Sequence, residues 1–418
     1  MLRLPSPAEG SRVIVFDLSR LLSRAGREAP TGIDRVELAY AEHLIASGLP
    51  LCFAAMTLSG RMGLLPREAA EAYVAALAAW WRSAAATVVE NPRVRRLAGS
   101  LYALRALGGE SRLHARMRAD EEPPVYLLVS HHHLEKPGAI ARLKNRTQAR
   151  FVCLVHDLIP MQYPEYAKPG QDQRHRQRIE TTARLADAII VSSSVTRDDL
   201  KPFLQRAGRD PPVLVAPFGV ELPPPGTATP LPDRPYFVCI GTIEARKNHL
   251  LLLNLWRRLG EEMGDAAPQL VLIGQRGWEA ENVVDMLERC PALRGHVIEH
   301  NTMPDGDMAP LIKGARAVLL PSFAEGFGFP LVEALALGVP TLCSDIPALR
   351  ETGGGVPEYL DPLDGRGWRE AILDYSPARS LRREEQLRRL SGWRPARWED
   401  HFAAVLQLIA ETAARPGS

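Results

Sequence analysis

Cysteine is scarce in this chain, and the spacing of the few cysteines excludes the sites that they usually build. Only five stand among 418 residues, far apart from one another. No two have the CxxC spacing typical of zinc and redox sites, and most lie in apolar runs. We therefore expect reduced, buried thiols in a cytosolic protein, without a zinc site or a disulfide framework. The five are Cys52, Cys153, Cys239, Cys290 and Cys343.

Long hydrophobic runs are absent as well. The N-terminal segment 1–19 has no apolar stretch of the length found in signal peptides. The longest nearly uncharged run, residues 72–89, is interrupted by Arg82, whereas a membrane-spanning helix needs about 20 apolar residues. The sequence thus predicts a cytoplasmic protein that at most binds the inner face of the plasma membrane.

Charge of one sign is not in excess either. The chain has 51 Lys and Arg residues against 49 Asp and Glu residues, and this net charge of +2 says little about its partners. A hydrophobic content of 46% and a charged content of 24% are typical of a globular protein. At 418 residues the chain is too long for one ordinary core, so we expect two domains of roughly 150–200 residues each.

Short apolar runs alternate with longer helical patterns over most of the length. This alternation predicts an α/β protein, with parallel sheets wrapped by helices. We expect strands at 12–19, 49–56, 125–130, 150–157, 188–194, 212–219, 236–242, 269–275, 296–302, 315–322 and 339–345.

Composition divides the chain into two Rossmann-like domains. Residues 220–235 are rich in proline, which neither a helix nor a central strand tolerates, and are predicted to be the linker. The N-terminal domain is then 1–219, with a helical basic insert at about 66–120, and the C-terminal domain is 236–395. Residues 396–418 have apolar residues at helical spacing and are expected to form a helix that returns to the N-terminal domain.

The basic segment 82–118 allows three interpretations. It has eight arginines against two acids, with Trp80, Trp81 and Tyr102 close in sequence. The arginines could form a solvated helical face, or an aromatic and Arg-rich surface that binds an anionic membrane. Nucleic-acid binding is disfavoured, because no stacking or groove-reading motif accompanies the charge.

Four loops of the second half follow predicted strands, and in open parallel sheets ligands bind beyond the carboxyl ends of the strands. Arg246 and Lys247 are adjacent cations suited to a diphosphate. Gly326 and Gly328 expose backbone N–H groups just before a predicted helix, whose dipole also favours anions. Glu333, in the first turns of that helix, could accept hydrogen bonds from a ribose diol. The four loops are 241–249, 273–278, 299–308 and 321–338.

The loop at 325–333, EGFGFPLVE, matches the EX7E motif of retaining glycosyltransferases with the GT-B fold, most closely family 4. The resemblance covers residues 236–365. The first half resembles more loosely a bacterial mannosyltransferase-like subgroup, through TGIDRVELAYAEHL at 31–44, HDLIP at 156–160 and SSSVTRDDL at 192–200. This resemblance implies two Rossmann-like domains that face each other across a cleft, with the acceptor on the N-terminal side and the donor on the C-terminal side.

The resemblance also implies roles for individual residues. Glu325 would lie against the donor sugar, Glu333 would hold the nucleotide ribose, and Lys247 would neutralise the diphosphate. Many relatives have an arginine directly after the glycine that precedes Thr242. Because this chain has a threonine there, Arg246 is expected to supply the second cation.

Further contacts with the donor follow from the same resemblance. His156 would touch the sugar from the N-terminal domain, and Gly32 would lie in a loop that approaches the diphosphate closely. Thr242 lies at the diphosphate, and the turn formed by Gly326, Phe327 and Gly328 is expected to contact the donor.

These residues imply a retaining hexosyltransferase that transfers a sugar, with mannose the first choice, from a GDP- or UDP-hexose to a saccharide acceptor, which is expected to be lipid-linked. Lys247 and Arg246 would stabilise charge on the leaving diphosphate. The acceptor proton would leave with the donor phosphate, with Asp157 as the alternative base. No DxD motif appears where a metal ion would bind the diphosphate, so we expect neither a metal ion nor a cofactor beyond the donor, and closure of two lobes would exclude water.

The run SHHH at 130–133 is a poor candidate for a metal site, although it has three histidines. Consecutive histidines in an extended segment point in alternate directions and cannot all bind one ion, so one or two of them are expected to line the acceptor side.

Two other functions remain open. A phosphorylase-like enzyme would need a pyridoxal phosphate motif, which we do not find, and a catalytically inactive nucleotide- or sugar-binding protein would bind nucleoside diphosphates without turnover.

Overall fold

A computed structural model of the chain contains two compact α/β units. The first unit takes the described residues within 1–158, 173–218 and 399–418, and the second takes those within 159–172 and 219–398. The structure describes residues 12–57, 60–82, 91–106, 109–119, 122–222, 230–301 and 303–415.

The sheet of the first unit has seven strands in the order β3-β2-β1-β4-β5-β6-β7. All neighbouring strands are parallel except β3, which pairs antiparallel with β2 at one edge. The strands are β1 (Ile14–Asp17), β2 (Leu51–Met56), β3 (Met62–Leu65), β4 (Val125–Leu128), β5 (Arg150–Val155), β6 (Ala188–Val191) and β7 (Val213–Val215).

The sheet of the second unit has six strands, all parallel, in the order β10-β9-β8-β11-β12-β13. Helices cover both of its faces, so successive residues of a central strand are buried in different cores. Phe237 and Cys239 join the cluster around Trp256, whereas Tyr236 and Val238 join the opposite cluster. The strands are β8 (Tyr236–Ile240), β9 (Gln269–Ile273), β10 (Val297–His300), β11 (Val318–Leu320), β12 (Thr341–Ser344) and β13 (Glu358–Leu360).

The predicted α/β class is confirmed, and each of the eleven predicted strands is present. The two strands that the prediction missed, β3 and β13, lie at sheet edges. β3 has four residues, one of them glycine, and β13 has three half-buried residues after Pro357. Such short segments carry too little periodicity for a pattern to reveal them. The predicted burial of thiols is confirmed for Cys153, Cys239 and Cys343.

Helices of the first unit begin with side-chain caps where the sequence provides them. Thr31 and Asp34 form a capping box at the start of the second helix, and Ser193 caps another at Thr196 N. The helices up to residue 206, of which α7 belongs to the second unit, are α1 (Ser19–Ser23), α2 (Gly32–Ala46), α3 (Arg67–Arg82), α4 (Pro92–Ala106), α5 (Gly109–Met117), α6 (Pro137–Thr147), α7 (Ile159–Gln162), α8 (Gln171–Leu185) and α9 (Ser194–Arg206).

The remaining helices follow the strands of the second unit, except the last, which packs in the first unit. There His401 Nε2 and the Tyr40 hydroxyl form a hydrogen bond of 2.7 Å. Residues 223–229 of the predicted linker lie outside the described residues. These helices are α10 (His249–Met263), α11 (Glu281–Arg289), α12 (Asp305–Gly314), α13 (Phe329–Ala336), α14 (Pro347–Gly353), α15 (Gly365–Tyr375), α16 (Leu381–Ser391) and α17 (Trp398–Ala414).

Segment 159–172 differs from its predicted placement. It lies inside the predicted N-terminal domain in sequence, but it packs with the second unit. Its helix α7 and the 3₁₀ turn Pro164–Tyr166 therefore become part of the surroundings of the second sheet.

Candidate functional site

Strand order in the second sheet reverses at β8. This strand has β9 on one side and β11 on the other, so the connections after β8 and β11 leave in opposite directions. A crevice opens at such a switch point beyond the carboxyl ends of the strands. The loops that border it are 241–248 and 321–328, two of the four loops singled out from the sequence.

The loop after β8 is held close to the loop after β9 by two glycines. A Cβ atom on Gly274 would lie 2.0 Å from the Gly241 carbonyl oxygen, so only glycine permits this approach. Gly241 itself has φ of 137°, and a Cβ atom there would lie 3.3 Å from Lys247 Cε. Thr242 follows on the same loop, and its methyl group would meet a Cβ atom on Gly277 at 2.7 Å.

The loop after β11 is tied to the first loop by its backbone. Phe323 N donates to the Arg246 carbonyl oxygen over 2.9 Å. Gly328, with φ of 88°, then turns the chain into α13, as the predicted loop-to-helix corner requires. Phe327 is buried at this corner and packs edge-to-face on Phe329, with ring centroids 5.1 Å apart.

Glu325 and both predicted cations meet in one buried cluster. Lys247 Nζ donates to Glu325 Oε1 over 2.6 Å, and Arg246 Nη1 donates to Glu325 Oε2 over 2.9 Å. The Ser322 hydroxyl adds a third bond, to Glu325 Oε1, over 2.7 Å. The side chains of Glu325, Lys247 and Arg246 are only 6%, 10% and 19% exposed.

The cluster keeps the carboxyl group of Glu325 ionised. Burial by itself would raise the pKa of Glu325, but the charges of Lys247 and Arg246 and the hydrogen bonds outweigh it, and the pKa falls to about 2. At neutral pH the loop end therefore presents a carboxylate paired with two cations at the switch point. Such an arrangement can bind a polar ligand with anionic groups and hydroxyl groups side by side.

Glu244 belongs to the same cluster, although sequence reasoning missed it. Its Oε1 accepts hydrogen bonds from Arg246 Nη2 and Nε, over 2.6 and 3.1 Å, and its side chain is 5% exposed. The signal in the sequence was an acid two positions before the cation pair, within the predicted loop 241–249. Nothing in that spacing distinguishes it from a solvated loop acid.

The remaining donor-side predictions lie on the same loop and helix. Gly326 is half-buried just before the corner, and Gly328 is buried in it. Glu333 is the fifth residue of α13 and is half-buried. The structure therefore places both acids of the predicted motif in one segment, Glu325 in the loop after β11 and Glu333 in the helix that follows.

Aromatic residues of segment 159–172 reach the Glu325 loop, a feature that the sequence did not reveal. Tyr166 stacks on Phe323 with centroids 5.5 Å apart and planes inclined by 12°. Trp278 Nε1 donates to the Tyr166 carbonyl oxygen over 3.0 Å, and Lys168 Nζ lies 5.1 Å from the centre of the Trp278 ring. The loops after β9 and β11 thus share one packing partner.

In the first unit, His156 follows β5 and is buried. Its Nε2 lies 2.9 Å from the Val129 carbonyl oxygen, and because a carbonyl only accepts, Nε2 carries the proton. Its ring packs edge-to-face on His131, which packs in turn on His175. Burial lowers the pKa of all three histidines, that of His156 to about 4, so that these rings are neutral at physiological pH.

The histidine run was predicted to be extended, and that prediction is wrong. Residues 132–135 form turns, and His133 has φ of 62°, because the chain bends soon after β4. His131 points into the histidine cluster, whereas His132 and His133 pack against each other with centroids 4.2 Å apart. Among the residues that the structure describes, no group of three or more metal-binding side chains is placed to hold an ion.

Gly32 is the exposed first residue of α2. Behind it, Asp34 is fully buried and accepts hydrogen bonds from Arg20 and Arg24, at 2.7 and 3.1 Å. Glu37 is also fully buried, and its Oε2 has no hydrogen-bond partner. Burial raises the pKa of Glu37 to about 8, with the carboxyl groups nearby acting in the same direction. No pattern in the sequence had indicated that these acids are buried.

The basic segment is helical over 92–106 and 109–117, but the two tryptophans that precede it do not face solvent. Trp80 and Trp81 are 4% and 5% exposed in the core beside α3. Exposed arginines remain on α4, at Arg93, Arg95 and Arg96. None of the helices in the described part of the chain is both long and apolar enough to cross a bilayer.

Two family models match this chain. The model described as "Glycosyltransferase Family 4" matches residues 60–222, and the model described as "Glycosyl transferases group 1" matches residues 228–354. Together they account for more than half of the sequence. The chain belongs to the glycosyltransferases. The resemblance inferred from the EX7E-like loop is confirmed at the level of the family.

Several relatives of this glycosyltransferase are named mannosyltransferases. The chain is 28% identical to the serotype-specific mannosyltransferase WbdA of Escherichia coli over 224 residues, which are 49% of this chain and 27% of WbdA. It is 29% identical to the O-antigen chain mannosyltransferase B of Escherichia coli over 259 residues, which are 60% of this chain and 68% of that protein. The chain therefore spans about a quarter of the length of WbdA.

Solved structures support the predicted fold. HepE of Anabaena, solved in complex with UDP-glucose, is similar with a TM-score of 0.61 and 13% identity. The likeness covers 96% of this chain and all of that one. Each unit of this glycosyltransferase has the parallel α/β sheet of a GT-B enzyme, so the predicted GT-B fold class is confirmed.

Proposed function

We propose that this glycosyltransferase transfers a hexose, with retention of anomeric configuration, from a nucleotide-sugar donor to a saccharide acceptor. The observation that carries the proposal is the cluster of Glu325, Lys247 and Arg246 at the switch point of the second sheet. A diphosphate requires cations there, and a sugar requires hydroxyl-binding groups beside them. Lys247 and Arg246 supply the cations, and the loop and helix from Glu325 to Glu333 supply the hydroxyl-binding groups.

Each residue has a distinct role in this proposal. Lys247 and Arg246 stabilise the charge that develops on the diphosphate as the glycosidic bond breaks. Backbone N–H groups of Gly326 to Gly328 add to this at the N-terminus of α13. Glu325 binds the donor sugar, and Glu333 accepts hydrogen bonds from the ribose diol.

Thr242 belongs to the proposed donor site on the loop after β8, where the backbone can approach the diphosphate. Gly32 and His156, in the first unit, stay predicted contacts of the donor. His156 would bind the sugar as a neutral hydrogen-bonding group rather than as a cation, because burial lowers its pKa to about 4. The acceptor proton leaves with the donor phosphate, and neither a metal ion nor another cofactor takes part.

The names of the relatives favour mannose and an acceptor in surface-polysaccharide synthesis. We propose GDP-mannose as the first donor to test, with UDP-hexoses next because HepE was solved with UDP-glucose. A lipid-linked acceptor would place the protein at the inner face of the plasma membrane. The exposed arginines of α4 support that placement by charge alone, since Trp80 and Trp81 are buried.

A thermal-shift screen with nucleoside diphosphates and their sugar conjugates tests the proposal. A ligand that binds only the folded state raises the melting temperature in proportion to the logarithm of its concentration over Kd. We expect one nucleobase to stabilise the protein selectively, and mass spectrometry to detect transfer from the matching hexose conjugate. Stabilisation without transfer to any saccharide would favour an inactive binding protein. If none of the ligands stabilised the protein, the proposal would be contradicted.

A further inference from the structure

Arg246 is held from both sides by acids. Glu244 binds its Nε and Nη2, while Nη1 donates to Glu325 and, over 2.5 Å, to the Ala324 carbonyl oxygen. All three guanidinium nitrogens therefore have partners within the protein. The bond to Glu244 is the shorter of the two ion pairs, 2.6 Å against 2.9 Å.

Formal charges in the cluster cancel. Lys247 and Arg246 contribute two positive charges, and Glu325 and Glu244 contribute two negative charges, with all four side chains largely buried. A diphosphate that approaches this cluster meets no net positive charge. Glu325 has a proposed contact with the sugar, whereas Glu244 Oε1 accepts two hydrogen bonds from Arg246.

We propose that Glu244 lowers the affinity of the site for nucleoside diphosphate and thereby allows the product to leave. The inference rests on the proposed function. Glu244 is a positioning residue, since it acts through Arg246: it keeps the guanidinium on Glu325 and cancels one of the two cationic charges. Without it, the cluster has a formal charge of +1, and Arg246 can turn towards the diphosphate.

Calorimetric titration of GDP and UDP into Glu244→Gln and wild-type protein provides the test. We expect the variant to bind the preferred diphosphate about tenfold more tightly, with an affinity that falls more steeply with salt. Multiple-turnover kcat should fall while the single-turnover rate changes little, because product release has slowed. A purely structural role would weaken binding instead.

Glu358→Gln is the matched control, because Glu358 also pairs with arginines in the second unit but lies on β13, away from the cluster. The Glu358→Gln protein should bind the diphosphate with the same affinity as the wild type. Glu244→Ala makes the same charge change without a buried amide and serves if the glutamine variant is unstable.

Equal or weaker diphosphate binding by folded Glu244 variants would overturn the inference, as would failure of both variants to fold. If the wild-type protein binds neither GDP nor UDP, the proposed function itself is wrong. These two failures are therefore distinguishable in one set of titrations.

Discussion

Glu325 combines deep burial with full ionisation, which protein interiors allow only for well-paired acids. Replacing it with alanine removes the carboxylate that binds Lys247, Arg246 and Ser322. We expect transfer to fall by about 10³-fold or more, as when a preorganised group that binds the reacting centre is lost. The readout is transferase rate in protein whose folding is verified by circular dichroism. Near-normal activity would show that Glu325 is not part of the active site.

Burial raises the pKa of Glu37 more than the charge of Arg20 and the hydrogen bond from Leu21 N lower it, so this residue makes folding depend on pH. Its pKa is raised from 4.5 to about 8, so between these values the unfolded chain loses the proton while the folded protein keeps it. The contribution of Glu37 to the free energy of unfolding therefore falls as pH rises from about 4.5 to about 8, and it is constant above that range. The slope should approach about 1.4 kcal/mol per pH unit.

Denaturant unfolding of wild-type and Glu37→Gln protein at several pH values isolates this contribution. Between about pH 4.5 and about pH 8, the unfolding free energy of the variant should increase relative to that of the wild type. The absolute stability of the variant is not diagnostic, because a buried amide adds its own unpaired donor. A difference that is constant from pH 5 to 8 would contradict the assignment.

Some of these residues were accessible from sequence and others were not. The cation pair and the two motif acids follow from loops at strand ends, because a parallel sheet brings its carboxyl ends to one edge. Glu244, Tyr166 and Glu37 were missed because their partners are far away in sequence or fixed by packing. No local pattern encodes such contacts.

At the scale of elements, the corner before α13 decides where the two motif acids lie. Gly328 and Gly338, before and after this helix, both have positive φ, of 88° and 79°. Only at Gly328 would a Cβ atom clash, lying 2.5 Å from Leu349 Cδ2, whereas Gly338 has nothing within 4 Å. Gly328→Ala should thus cost about 2 kcal/mol of stability and Gly338→Ala about 1 kcal/mol.

Chemical denaturation and activity measurements on both alanine variants check this prediction. Gly338→Ala shares the backbone strain and serves as the control, so it should retain most of its activity. Gly328→Ala should lose more activity than its loss of stability explains, because a distorted corner would displace Glu325 relative to Glu333. Equal behaviour of the two variants would contradict a special role for the corner.

Elements with strong periodicity were predictable, and those fixed by neighbours were not. Central strands such as β5 and β8 are continuous apolar runs, which indicate burial on both faces. The edge strands β3 and β13 exist because β2 and β12 offer pairing partners. Segment 159–172 packs with the second unit through Tyr166, Trp278 and Phe323, a long-range contact that composition does not encode.

At the scale of the whole molecule, the exposed arginines of α4 make a specific prediction about membranes. Liposome flotation should recover the protein with vesicles that contain anionic lipid and not with neutral vesicles, and the binding should decrease with salt. Replacing Arg93, Arg95 and Arg96 with glutamine should abolish flotation without changing transfer to a soluble saccharide. Indifference to anionic lipid would leave the basic helix as a solvated face.

Diphosphate binding by the charged cluster is the central claim, and calorimetry on Lys247→Ala tests it most directly. Lys247 is largely buried and is one of two cations at the switch point, so its loss should raise the Kd of the preferred nucleoside diphosphate by about 10- to 100-fold, or about 1.4–2.8 kcal/mol. An unchanged Kd in a folded Lys247→Ala protein would place the nucleotide elsewhere and contradict the account.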